Sequence, residues 1–176
     1  MKTARMSFFL KVILLQVMFL LLHYLYEWFP NGITAVFSAI NESVYQHMKV
    51  AFFAYIFVSL LEYAVVRKRI QSLSNFFHVR ALVAVLYTLL VIVWFYMSCA
   101  YFVKIESIFL EILFANFATI LTSITALHIE QHLEKVEFSR GFKWVSAAVF
   151  LVALSEFIIF TYRLPWLDLF ANPAGW

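Results

Sequence analysis

Residues 8–28 read FFLKVILLQVMFLLLHYLYEW, an apolar run of 21 residues with Lys11 near one end and Glu27 near the other. A helix needs about 20 predominantly apolar residues to cross a bilayer. The run continues to Trp28 without the small-residue cleavage site that follows the apolar part of a signal peptide. It therefore predicts a transmembrane helix that stays in the mature protein.

Four later stretches of the chain have the same apolar character. The chain is 65% hydrophobic and 13% charged, whereas soluble domains average about 45–50% and about 25%. So few charges cannot cover the surface of a small soluble protein, which excludes a soluble enzyme, and 20% aromatic residues exclude a disordered chain. We predict an all-α polytopic membrane protein in which residues 1–176 form one helical bundle. The predicted spans are approximately Phe8–Trp28, Val44–Val66, Ala81–Val103, Ile108–Leu127 and Trp144–Tyr162.

The basic residues predict the orientation of the bundle. Ten of the 13 Lys and Arg residues fall on one side if the N-terminus lies in the cytoplasm: Lys2, Arg5, Lys11, Arg67, Lys68, Arg69, Arg80, Lys135, Arg140 and Lys143. Lys49, Lys104 and Arg163 fall on the other side. The positive-inside rule therefore predicts a cytoplasmic N-terminus and an external C-terminus, in a plasma or inner membrane. The net charge of +3 then reflects topology and not a nucleic-acid partner, and Cys99, the single cysteine, excludes an intrachain disulfide.

Polar and ionisable residues gather near the predicted outer ends of four spans. At 1.5 Å per residue, all of them lie within about 10 Å of the outer boundary. Because ionisable groups are costly in hydrocarbon, each one inside a span is a candidate for function. We therefore predict a polar pocket that opens to the outside. Its candidate residues are His23, Glu27, Asn41, Glu42, Ser43, His47, Lys49, Glu111 and Glu156.

Two kinds of chemistry suit these residues. Imidazole and carboxylate groups bind zinc, manganese or ferrous iron, and we predict a divalent metal such as zinc on His23, Glu27 and His47. Without a metal, the same pocket offers acid/base chemistry. The predicted catalytic residues are Glu42, His47 and Glu156. The predicted substrate-binding residues are Asn41, Ser43, Lys49 and Glu111.

The loop between the first two spans and the cytoplasmic ends carry further expectations. Pro30-Asn31-Gly32 is a turn signal, and Ile33–Ile40 is apolar but too short to cross. We expect residues 31–43 to form an interfacial or re-entrant segment. Glu62 is predicted to pair with Arg67 and Lys68 at the cytoplasmic surface, and Glu130 and Glu134 to lie on a solvated helical extension.

Two sequence patterns resemble known families. The first pattern consists of His23, Tyr26 and Trp28, followed by Asn41-Glu42-Ser43-Val44-Tyr45-Gln46-His47-Met48-Lys49. It resembles a family of small bacterial five-span proteins of unknown function. That family has an Asn-Glu-Ser-Val-Trp-Glu-His-x-Lys signature and a Pro-containing tail. Here Tyr45 and Gln46 replace its Trp and Glu, and Leu164-Pro165 and Phe170–Pro173 stand for the tail. The resemblance covers most of the chain.

The second pattern resembles the superfamily of alkaline ceramidases and adiponectin receptors, which are seven-span zinc hydrolases. Its members pair Ser-x-x-x-His with His-x-x-x-His, as Ser43…His47 and His128…His132 do here. The resemblance implies zinc on His47, His128 and His132 and hydrolysis of a lipid amide. The predicted topology instead places His47 about 30 Å of bilayer away from the other two.

Together these observations predict a membrane enzyme, metal-assisted or acid/base, that acts on a lipid or other amphiphile in the bilayer. One alternative is a small proton-coupled carrier that uses Glu111 and Glu156 as protonation sites. The chain shows no internal repeat and no pair of broken helices, which are the usual signs of a transporter. A further alternative is a structural or assembly subunit, which would leave the polar residues without a role.

Overall fold

The computed structural model describes residues 5–101, 105 and 107–172, without the side chains of Ser98 and Cys99. The predictions that concern Lys2, Cys99, Val103, Lys104 and Pro173 lie outside what it describes. The described chain contains helices and short 3-10 turns, and no strand is found among these residues. The helices are α1 (Phe8–Trp28), α2 (Gly32–Phe37), α3 (Val44–Val66), α4 (Leu73–Tyr101), α5 (Ile108–Leu133) and α6 (Arg140–Tyr162).

Five of these helices are long and apolar enough to cross a membrane. The prediction of an all-α protein with five candidate membrane spans is therefore confirmed. Three of the long helices start at a serine whose side chain accepts a hydrogen bond from a backbone N–H of the first turn, which satisfies one of the free donors at a helix start. These serines are Ser43 before α3, Ser107 before α5 and Ser139 before α6.

Helix α3 occupies the centre of the bundle. It packs against α1 on one side and against α4 on the other, and α4 in turn contacts α5 and α6. Val50, Phe52 and Tyr55 of α3 are completely buried. Apolar side chains on the outer faces of the other long helices remain exposed, as expected of helices that face lipid and not water. The polar residues Gln46, Lys49 and Glu62 of α3 are therefore surrounded by protein.

Residues 29–43 fold back over one end of the bundle. Asn31 caps the short helix α2 through the backbone N–H groups of Ile33 and Thr34. The hydroxyl of Ser38 donates to the carbonyl oxygen of Leu22 at 2.5 Å and accepts from the backbone N–H of Tyr26 at 2.9 Å. These bonds fix the loop against the last turns of α1, so the residues that follow lie beside α1.

Polar side chains concentrate at the two opposite ends of the bundle. One concentration lies where α1 ends and α3 begins, and the other lies where α1 begins and α3 ends. Lys11 and His23, which belong to different concentrations, are separated by about 18 Å along α1 at 1.5 Å per residue. The two concentrations therefore form separate structures.

Candidate metal centre

Three side chains from three segments meet at the loop end of the bundle. His23 comes from the second half of α1, His47 from the first turn of α3, and Glu42 from the loop just before α3. We call these three residues the histidine group. Among the described residues, it is the one group of three or more His, Cys, Asp or Glu side chains whose ligand atoms all lie within 4.8 Å of one another.

The distances within the histidine group match those around a metal ion. The Nε2 atoms of His23 and His47 are 3.2 Å apart, and Oε2 of Glu42 lies 3.6 Å from the first and 3.5 Å from the second. A circle through three points with these separations has a radius of about 2.0 Å, which is the ordinary distance from zinc to imidazole nitrogen or carboxylate oxygen. One ion could therefore contact all three atoms without any backbone movement.

The orientation of the His47 ring is fixed by the start of α3. Its Nδ1 lies 2.9 Å from the backbone carbonyl oxygen of Ser43, one helical turn earlier. A carbonyl can only accept, so Nδ1 carries the proton of this bond and, in the neutral ring, Nε2 keeps its lone pair. A hydrogen bond from the second ring nitrogen to a backbone carbonyl is the usual support of a metal-binding histidine.

The other two members of the group differ in their exposure. The side chain of His23 is 13% exposed, lies close to the ring of Tyr24, and has no hydrogen-bond partner at Nδ1 among the described residues. Glu42 is 53% exposed. The adjacent His23 lowers the pKa of the Glu42 carboxyl, and His47 acts in the same direction, whereas partial burial opposes them. The group is thus buried on the α1 side and open to solvent on the Glu42 side.

Comparison with known proteins identifies the family of the chain. Residues 1–175 match a family described as a family of unknown function (DUF6512). The chain belongs to this family. No curated protein and no solved structure matches it. The predicted membership of a family of unknown function is confirmed, but the match supports neither the quoted signature nor the ceramidase resemblance.

In this member of the DUF6512 family, two of the predicted metal ligands, His23 and His47, come together, and Glu42 joins them. The third predicted ligand, Glu27, is exposed and does not belong to the group. His128 and His132, the partners of His47 that the ceramidase resemblance implies, are also not part of it. Sequence spacing favoured Glu27 because it lies one turn after His23, whereas Glu42 reaches the site only because the loop folds back.

The remaining predicted site residues lie around the histidine group or away from it. Asn41 accepts a hydrogen bond from the backbone N–H of Ser43 at 3.0 Å, and Ser43 caps α3. Lys49 is completely buried and donates to the carbonyl oxygen of Ala35 at 2.7 Å and to the hydroxyl of Thr161 at 3.1 Å, so it ties α3 to α2 and α6.

The predicted protonation sites of the carrier alternative do not join the histidine group either. Glu111, in the first turn of α5, and Glu156 on α6 are both exposed. The backbone carbonyl oxygen of Glu156 accepts a hydrogen bond from the Tyr45 hydroxyl at 3.0 Å, which links α6 to α3.

The opposite end of the bundle holds a network of buried charges. Lys11 donates to Glu62 at 2.5 Å and to both carboxylate oxygens of Glu130 at 2.7 and 2.8 Å. Nη2 of Arg80 lies 3.0 Å from Glu62, 3.5 Å from Glu130 and 2.5 Å from Glu134. We call these five residues the buried charge cluster. Each of their side chains is at most 5% exposed.

The buried charge cluster corrects several sequence expectations. Glu62 pairs with Lys11 and Arg80 in place of the predicted Arg67 and Lys68, and Arg80 lies inside α4 and not in a loop. Glu130 and Glu134 were expected to be solvated, but they are enclosed by α1 and α4. The hydroxyl of Tyr55 also donates to Glu130. The reason is long-range: each charge is buried because another helix supplies its partner.

Proposed function

We propose that this protein is a metal-dependent membrane enzyme in which His23, Glu42 and His47 bind a divalent ion of the zinc class. The substrate is a lipid-like molecule that reaches the site at the membrane surface. The observation that carries the proposal is the separation of the three ligand atoms, which lets one ion lie about 2 Å from each.

The composition of the ligand set supports catalysis more than a structural role. Structural zinc sites are usually closed by four protein ligands, whereas catalytic sites have three and keep one position open. The histidine group supplies three, and its Glu42 side faces solvent. An ion with an open position supplies a Lewis acid that polarises a carbonyl or activates a water molecule.

The surroundings of the histidine group support a substrate that comes from the membrane surface. Tyr24 and Trp28 are exposed at the same end of the bundle, and their amphipathic aromatic rings favour the headgroup region of a bilayer. The basic residues Arg67 and Arg140 lie at the other end. By the positive-inside rule, the site then faces the outside of the cell, as the sequence predicts.

Metal binding is tested by titrating the purified, metal-stripped protein in nanodiscs with Zn²⁺ and measuring bound metal by mass spectrometry. We expect one Zn²⁺ per chain. Loss of a residue that only supports a metal ligand lowers metal affinity about 10–100-fold. We expect a larger loss of Zn²⁺ affinity from each of His23→Ala, His47→Ala and Glu42→Gln.

The chain supplies matched controls for each variant. His78 and His132 have Nδ1 within hydrogen-bond distance of the carbonyl one turn earlier, as His47 does, but lie outside the group. His78→Ala, His132→Ala and Glu27→Gln should therefore leave Zn²⁺ binding unchanged. The metal site is contradicted if no stoichiometric Zn²⁺ binds, or if the control variants lose as much Zn²⁺ affinity as the site variants. Either result favours a pair of histidines that share a proton.

Catalysis is tested separately from binding. The wild-type protein with Zn²⁺ is incubated with vesicles of phosphatidylethanolamine and phosphatidylglycerol, and released fatty acid and headgroup are quantified. We expect product release that a chelator stops and that Glu42→Gln lowers to the background. Product release that persists with the chelator and in Glu42→Gln contradicts a metal-dependent reaction. If Zn²⁺ binds but no product is released, these two lipids are excluded as substrates.

A further inference from the structure

A second site of interest is a pocket between α3, α4 and α6, near the buried charge cluster. Its volume is about 220 Å³. Aromatic and aliphatic side chains form most of its wall, and three polar residues, Tyr55, Ser59 and Arg80, interrupt that wall. Its α3 residues begin at Tyr55, eight residues and about 12 Å along the helix from His47, so its ligand does not depend on the proposed metal.

Two of the polar residues that line the pocket have unused hydrogen-bond donors. The Oγ atom of Ser59 and the Nε and Nη1 atoms of Arg80 are buried and have no partner among the described residues. Ser59 is 7% exposed and Arg80 is 4% exposed. A buried donor without a partner carries a free-energy penalty, which a ligand with an acceptor atom in the pocket would remove.

Ser59 differs from other hydroxyl residues in the same bundle. The hydroxyls of Ser146, Ser155 and Thr161 each donate to a carbonyl three or four residues earlier in their own helix, which is the common way to satisfy a serine or threonine inside a helix. Ser59 makes no such bond among those the structure describes. Its hydroxyl is therefore available to a ligand.

The charges around the pocket favour a neutral ligand. Lys11 and Arg80 carry two formal positive charges, and Glu62, Glu130 and Glu134 carry three negative ones. An anionic headgroup would add a further negative charge to a buried network that already has an excess of one. A carbonyl oxygen accepts hydrogen bonds without adding charge.

The size and opening of the pocket indicate a lipophilic ligand. About 220 Å³ corresponds to about seven water volumes at ~30 Å³ each, room for the end of a molecule and not for a whole lipid. Leu60 and Phe77 line the pocket and are 48% and 40% exposed, so they form its outer edge. Both belong to candidate membrane spans, so the opening faces lipid.

We propose that this pocket binds the carbonyl end of a neutral amphiphile, with the carbonyl accepting hydrogen bonds from Ser59 and Arg80 and the apolar tail leaving between Leu60 and Phe77. The same chemistry is present in the ester of a neutral glyceride and in the ring carbonyl of a short-chain quinone. Phe76, whose ring lies 3.6 Å from the guanidinium carbon of Arg80, holds the donor group beside the bound carbonyl.

The test measures saturation binding of radiolabelled probes to the full chain in nanodiscs of ether-linked phospholipids, which have no ester carbonyl to compete. The probes are monooctanoylglycerol, a decyl-substituted benzoquinone and octanoate. We expect saturable binding, with one site per chain, of at least one neutral probe and weaker binding of octanoate. The neutral probe that binds identifies the source of the carbonyl.

Two substitutions at Ser59 locate the binding site. Ser59→Ala, which removes one hydrogen bond, should weaken binding about tenfold, and Ser59→Leu, which fills the pocket, should abolish it. Ser155→Ala and Ser155→Leu, on the exposed face of α6, are the controls and should bind like the wild type. The unfolding temperature of each variant is measured to confirm that it is folded. If Ser59→Leu does not fold, the result for Ser59→Ala decides the test. The proposal is overturned if neither neutral probe saturates, if octanoate binds as tightly, or if the folded Ser59 variants bind normally.

Discussion

The two ends of the bundle hold polar groups of opposite character. In the buried charge cluster, two cations and three carboxylates from four helices pair with one another at exposures of at most 5%. In the histidine group, two imidazole nitrogens and one carboxylate oxygen lie 3.2 to 3.6 Å from one another, and Glu42 is 53% exposed. In the first arrangement each carboxylate has a Lys or Arg partner, whereas the second brings one carboxylate and two imidazoles together without a Lys or Arg among them.

This difference shows how to interpret an ionisable residue in a membrane helix. Both ends of the bundle contain residues that are costly in hydrocarbon, and by that criterion both are functional candidates. Pairing separates them, because each carboxylate of the buried charge cluster already has a cation partner. Function is therefore expected where polar atoms have no such ion-pair partner, at the solvent-open histidine group and at the unused donors of Arg80.

The largest effect is expected from removing a charge of the buried cluster. Lys11→Met keeps the apolar stem but leaves Glu62 and Glu130 without one of their two cations. Removing one partner of a buried ion pair typically costs about 3–5 kcal/mol. We expect a loss of this size in the free energy of unfolding, measured by detergent or denaturant titration in micelles.

Lys68→Met is the control for this change, because Lys68 is exposed at the same end of the bundle and should lose almost no stability. The double variant Lys11→Met/Glu62→Gln should recover part of the loss, since it removes one of the uncompensated charges. Equal stabilities of Lys11→Met and the wild type would show that the cluster is solvated and would remove the contrast between the two ends.

The sequence predicts the helices well because each span is encoded locally. An apolar run of about 20 residues is sufficient evidence for a membrane helix. The second span starts at Val44 as predicted, after the cap Ser43, whereas α6 starts at Arg140, four residues before the predicted Trp144. The depth of His23 and His47 also follows from counting residues along a helix, so their proximity could be anticipated.

The sequence predicts the contacts between segments less well. Glu42 lies beside His23 because Ser38 bonds to the end of α1, and no periodicity encodes that fold of the loop. Glu130 becomes buried because Lys11, 119 positions away, supplies its partner. Its neighbours in sequence are charged and indicate a solvated helix. Such pairings depend on the packing of whole helices and cannot be read from local spacing.

A smaller effect is expected at the start of α3, where stability and metal binding can be separated. Ser43 caps the helix with its side chain but holds His47 with its backbone carbonyl. Ser43→Ala removes only the cap, so we expect a loss of about 1 kcal/mol in the free energy of unfolding. Zn²⁺ affinity should fall by less than the about 10–100-fold expected when a supporting partner is lost.

Ser139→Ala is the matched control, because Ser139 caps α6 in the same way at the other end of the bundle. It should lose similar stability and no Zn²⁺ affinity. If Ser43→Ala alone loses Zn²⁺ affinity strongly, the Ser43 hydroxyl takes part in the site itself, as its predicted role in substrate binding would require.

The smallest effect concerns the pH dependence of the histidine group. Because the pKa of Glu42 is lowered from 4.5 in the folded protein, mainly by His23, its ionised form stabilises the fold at pH values above about 4.5. This contribution is lost as the pH falls below that value. Glu42 is half exposed, so we expect it to be worth less than about 1 kcal/mol.

Unfolding of the wild type and of Glu42→Gln, measured in metal-free buffer between pH 7 and pH 3.5, should therefore differ slightly at neutral pH and converge at the acid end. High salt should shrink the difference, because charges at an exposed site are screened within about 10 Å at 0.1 M. The same salt should hardly change the loss caused by Lys11→Met, whose partners are enclosed. A salt-resistant Glu42 effect would mean that the histidine group is as sealed as the buried charge cluster, and a sealed site could not admit a substrate.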